Sequence, residues 1–155
     1  MKVPFYFLLI CSILIFSCGT KKVVAPGEFE GKRILFSHGG GFAGTYKSYC
    51  LLENGQLFKG SKQYEADQTV KDLDKDIATQ IFSNYEVLGF GSKKVESYDN
   101  LNYMIVMVQA DGKEHKLIWG RGQEGSEIYQ LFYDNFMKQV RLNNSDDSAD
   151  NASKN

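Results

Sequence analysis

The chain has 155 residues, with 18 Lys+Arg against 19 Asp+Glu, 43% hydrophobic and 14% aromatic residues, three Cys and two His. That length holds one domain, and the formal net charge of −1 excludes the broad basic footprint of a nucleic-acid binder. Two His and three Cys leave little for a metal cluster or a His-based catalytic set, while the apolar content argues for a folded core.

Residues 1–17 predict a signal peptide. Lys2 supplies a minimal positive region, and Pro4 to Phe16 is a mostly apolar run of 13 residues. A membrane-spanning helix needs about 20 residues, so the run has the length of a signal-peptide core instead. It ends Ile15-Phe16-Ser17-Cys18-Gly19, which resembles a bacterial lipobox. Small Ser17 lets a signal peptidase reach the bond before Cys18, and the Cys18 thiol is the expected lipidation site. The membrane is thus the expected partner through acylated Cys18, since two or three acyl chains anchor stably where one does not. Gly19, rather than Asp, after the Cys favours the outer membrane, and Thr20-Lys21-Lys22 lacks an acidic run for surface export, so the expected location is the periplasm-facing leaflet.

Residues 18–28 then read as a flexible linker carrying Pro26 and Gly27, and 29–142 as the folded domain. Arg33 to Ser37 predicts a strand, Gly39 to Gly44 a glycine loop, and Thr45 to Glu53 a second strand. Asn54-Gly55 is a strong hairpin signal, with Gln56 to Lys59 returning. Asp72 or Asp74 caps a helix whose apolar positions are Leu73, Ile77, Ile81 and Tyr85, ended by Gly89-Phe90-Gly91. Leu101 to Ala110 and Lys113 to Gly120 flank Asp111-Gly112, a type I′ turn signal. Ser126 caps a last helix with Ile128, Leu131, Phe132, Phe136 and Val140 on one face. The fold class is therefore α+β, an antiparallel sheet of β-hairpins with two helices on one face in the order β-β-β-α-β-β-α. Residues 143–155 (NNSDDSADNASKN) lack any large apolar side chain and predict a disordered tail. Within the tail, Asp147-Ser148-Ala149 resembles a bacterial O-glycosylation signal, with Ser148 as acceptor.

Chemical motifs mostly fail on context. Gly39, Gly41 and Gly44 match GxGxxG, but Thr45 to Cys50 behind them reads as a strand, where dinucleotide binding needs a helix N-terminus. Neither a kinase HRD or DFG nor a GxSxG nucleophile elbow accompanies the loop. Asp72, Asp74 and Asp76 begin like a Ca²⁺ loop, but Ile77 stands where its Gly belongs. His38 and His115 read as strand or surface histidines, Tyr103, Trp119 and Tyr129 as core packing. Cys11 leaves with the signal peptide, so Cys50 is the one thiol left beside the lipid site, a buried structural residue without a neighbouring His or Asn to activate it. No catalytic residue, metal site, cofactor or small-molecule substrate follows from the sequence, and the protein reads as a non-enzyme.

Ser37-His38-Gly39-Gly40-Gly41-Phe42-Ala43-Gly44, the helix Leu73 to Tyr85, and the Tyr103–Val108, Asp111-Gly112 and His115–Trp119 hairpin together resemble the emfourin-type domain over about Lys32 to Val140. The chain departs from that family in its Asn54-Gly55 hairpin and its membrane tether. The resemblance implies a small α+β inhibitor of thermolysin-like metallopeptidases. On that basis the expected partner is a metallopeptidase, with Gly39, Gly40, Gly41, Phe42, Ala43 and Gly44 as the contact patch. The alternative is a structural or envelope-assembly lipoprotein whose partner is another envelope protein.

Overall fold

The computed structural model describes residues 22–152. The expected signal peptide and Cys18 lie outside them. Seven strands form one sheet: β1 (Arg33–Gly40), β2 (Thr45–Leu52), β3 (Leu57–Gly60), β4 (Gln68–Thr69), β5 (Val95–Glu96), β6 (Leu101–Val108) and β7 (Glu114–Gly120), in the order β4-β3-β2-β1-β6-β7-β5. Every neighbouring pair is antiparallel except β5–β7. Two helices, α1 (Lys75–Val87) and α2 (Glu127–Ala152), complete the expected α+β class. The two-residue strands β4 and β5 add the edges that the hairpin pattern did not predict. Their length blunts those edges against pairing with other chains.

The long-range pairing of β1 with β6 joins the two halves. It runs from Arg33 opposite Val108 to Gly40 opposite Leu101. Alternation then sorts each strand between two faces. On one face Ile34, Phe36, Leu51, Ile105, Met107, Leu117 and Trp119 meet Ala78, Ile81, Phe82 and Tyr85 of α1 and Tyr129, Phe132, Tyr133, Phe136 and Val140 of α2. Phe36 stacks on Phe136 with centroids 3.8 Å apart and planes 9° apart, and burying such a ring stabilises by about 1.5–3 kcal/mol. The opposite face carries Cys50, Leu52, Phe58, Met104, Val106, Val108 and Ile118, all buried. Residues 61–67 fold onto that face: the Ser48 hydroxyl bonds the Lys62 carbonyl and lies 3.1 Å from the Ser37 hydroxyl.

Four local expectations change. Asp74 caps α1, its Oδ1 accepting from Asp76 N at 2.8 Å, so Leu73 precedes the helix and Phe82 joins its buried face instead. On α2 Tyr129 lies in the core as expected and Tyr133 joins it, while Ile128 and Leu131 are exposed. Asp111-Gly112 is not a type I′ turn, because among the described residues none other than Gly has positive φ and type I′ requires it at both central positions. Gly112 N bonds Gln109 O and Gln109 N bonds Lys113 O, both at 2.9 Å, the pattern of a type I turn closed by a glycine bulge. Leu52, Gly55 and Gln56 repeat it in the first half, and Asn54 and Asp111 each accept from the backbone N–H two residues on.

The fourth difference lies at the tail. A disordered segment was expected from Asn143, yet α2 continues through Ala152. The packed face of α2 spares the continuation a nucleation cost although its Asn, Asp and Ser residues are poor helix formers, and Asn143 Nδ2 donates to the Lys71 carbonyl at 2.9 Å. Ser148 falls within this helix, and its side chain is outside the described residues.

Candidate functional site

Gly39 to Gly44 form the end of the β1–β2 hairpin, as the strand-like flanks implied, with no helix N-terminus behind them. Gly40 closes the ladder opposite Thr45, and Gly41 to Gly44 make the turn. Gly40 has φ +123°, and a Cβ there would lie 2.4 Å from the Asn100 carbonyl. That carbonyl also accepts from Gly41 N at 2.5 Å. Asn102 holds the 99–102 turn in place, its Oδ1 accepting from Asp99 N at 2.7 Å and its Nδ2 donating to Asp99 O at 2.6 Å. The glycines therefore let a second turn dock against the hairpin and fix its direction. At the tip Phe42 is wholly exposed, at 112% of its reference area, with Ala43 exposed beside it.

Below the tip, cross-strand register lines up Lys47, His38, Tyr103 and Trp119 across β2, β1, β6 and β7. His38 and Tyr103 stack with centroids 6.0 Å apart, and Tyr103 and Trp119 at 5.8 Å. Tyr133 of α2 stands edge-on to His38 at 5.8 Å and to Tyr103 at 5.2 Å, and its Oη is 2.5 Å from His38 Nδ1. Burial, and then the Lys47 ammonium, hold the His38 pKa below its ordinary value, and burial raises that of Tyr133. The tyrosine therefore keeps its proton, and its O–H donates a hydrogen bond to Nδ1 of the neutral imidazole.

His115 is tied in the same way. Its Nε2–H donates to the Lys93 carbonyl at 2.7 Å, and Tyr85 Oη donates to Nδ1 at 2.7 Å. It lies four residues along β7 from the aromatic row and two strands from β1. The two imidazoles are thus separate, each fastening one helix to the sheet. These Tyr–His bonds were missed in the sequence reading. They join positions 95 and 30 residues apart, which no local pattern encodes.

Cys50 is buried on the face away from the helices, and burial pushes its thiol up to about 12. It is not poised as a thiolate nucleophile. It floors a cleft of about 220 Å³ with Leu35, Val106 and Val108, rimmed by Pro26 and Tyr64. A larger hollow of about 470 Å³ lies between α1 and the β2–β3 turn, where Lys32 Nζ meets Glu86 Oε1 at 2.5 Å. Neither is lined by the glycine hairpin, which projects rather than encloses. Among the described residues no group of three His, Cys, Asp or Glu could hold a metal ion, and no helix is long and apolar enough to cross a membrane.

The expected linker is partly docked. Residues 22–25 carry no regular structure and lead through an extended Ala25 into a single 3-10 turn at Pro26–Glu28, and Gln56 Nε2 donates to the Lys22 carbonyl at 3.1 Å. Gln56 is itself buried, with 2% exposure, so this contact belongs to the domain. No family model matches the chain, and no curated protein matches it.

Proposed function

We propose that the protein is a lipid-anchored, non-enzymatic binding module of the bacterial cell envelope, held in the membrane through Cys18 and facing the periplasm. Its partner is a protein, met through Gly39–Gly44. The observation that carries this reading is the braced glycine hairpin with a fully exposed Phe42 at its tip. A single exposed ring is ordinary on a protein surface; what singles out Phe42 is its place at the tip of a hairpin braced by the Gly41–Asn100 bond. The non-enzymatic reading rests on the two histidines serving as helix fasteners and on the protonated, buried Cys50.

The emfourin resemblance makes a thermolysin-like metallopeptidase the first partner to test. The chain from Gly19 onward, titrated against a panel of such peptidases, is expected to slow one of them stoichiometrically; full activity across the panel rejects the inhibitor version. The second reading is an envelope-assembly lipoprotein, favoured if the hairpin engages an envelope protein that is not a peptidase. Cys18→Ala is expected to release the protein from membranes. Retention after signal-peptide removal rejects the anchor.

A further inference from the structure

The domain has two poles. At one lie the β2–β3 turn, the Asp111-Gly112 turn and the start of β1; at the other lies the glycine hairpin. The described chain begins at the first pole, where Gln56 binds the Lys22 carbonyl. Only four residue steps separate Lys22 from Cys18, a reach of at most about 14 Å even when extended. The eight residues of β1 then carry the hairpin about 25 Å away from that pole.

Resting on the lipid-anchor reading above, we propose that Phe42 is a membrane-distal probe whose ring enters an apolar pocket on a protein partner. A short tether holds the Gln56 pole against the bilayer and points the hairpin outward. The ring stands clear on all sides between Gly41 and Ala43, so a flat surface would touch only part of it and a concave pocket can surround it. Small neighbours keep the backbone slim enough to follow the ring to the pocket mouth. The Gly41–Asn100 bond and the close approach at Gly40 hold the hairpin in place before contact, which lowers the ordering cost of binding. A lipid bilayer fits less well. The tip presents one ring and no basic side chain from Gly41 to Gly44, short of what stable membrane attachment takes.

The test places a benzoylphenylalanine cross-linker at position 42, and separately at the exposed positions Tyr64 and Leu131, in the full chain in its own cells. The expected result is a discrete protein adduct from position 42, at least tenfold stronger than from 64 or 131. Phe42→Ala should reduce recovery of that protein at least tenfold and Phe42→Trp should preserve it, with the far-ultraviolet spectrum unchanged in both. Equal adducts from all three positions, adducts to lipid alone, or no adduct overturn the proposal. Peptidase inhibition that survives Phe42→Ala would overturn it while leaving the inhibitor reading intact. A position-42 adduct with a protein that is no peptidase would do the reverse.

Discussion

Nδ1 of His38 and Oη of Tyr133 lie 2.5 Å apart and join the glycine hairpin's first strand to the last helix. The pair sits directly beneath the proposed contact patch. Whatever loosens it loosens the support of the hairpin.

Acid should do so. Burial, then Lys47, hold the folded-state pKa of His38 below its ordinary value of about 6.5. Lys47 is its cross-strand neighbour on β2, with Tyr103 and Tyr133 packed on the ring. Below about pH 6.5 the unfolded chain therefore binds more protons than the folded one at this site, and stability falls as the pH drops toward the folded-state value. Denaturant midpoints between pH 7.5 and 5.5 should decline more steeply for the wild type than for His38→Gln. Equal slopes would show that His38 carries no such linkage.

Tyr85 makes the matching bond on the other helix, and burial pushes its pKa up to about 12. Tyr85→Phe keeps the ring against Phe90 and Phe132 and removes only the hydroxyl. It should cost about 1 kcal/mol, the usual net worth of one hydrogen bond. Chemical denaturation of Tyr85→Phe, of His115→Ala and of the double variant would show whether the loss belongs to this contact.

Gly40 and Phe42 should separate stability from binding. Gly40→Ala places a Cβ 2.4 Å from the Asn100 carbonyl at positive φ, and should cost about 2–3 kcal/mol. Phe42→Ala removes an exposed ring and should change stability by less than about 0.5 kcal/mol. Thermal melts of the two variants make the comparison. A Gly40→Ala variant as stable as the wild type would contradict the braced hairpin.

The Cys50 thiol, buried and pushed up to about 12, should react with an aromatic disulfide reagent at pH 8 roughly a hundredfold more slowly than in the unfolded chain. Thiol titration with and without denaturant reads this directly. Equal rates would place Cys50 at the surface.

The hairpins were legible because Asn54-Gly55 and Asp111-Gly112 encode their own turns, although the turn type was not. Both close with one positive-φ glycine rather than two such residues. Helix faces were partly legible. The period selected Phe132, Phe136 and Val140 correctly, but hydropathy favoured Ile128 and Leu131 over Tyr133, whose ring packs against Trp119 and His38. The edge strands Gln68–Thr69 and Val95–Glu96 are too short to leave a pattern. The glycine loop could be picked out in the sequence, whereas Asn100, which braces it, and Phe42's complete exposure emerge only from the paired strands.

The central claim is that the glycine hairpin binds a protein through Phe42. Its most direct measurement is the dissociation constant of the partner recovered through position 42, for the wild type and for Phe42→Ala. A buried aromatic anchor predicts a loss of at least about thirtyfold, equivalent to roughly 2 kcal/mol. Affinities within twofold of each other would contradict the account.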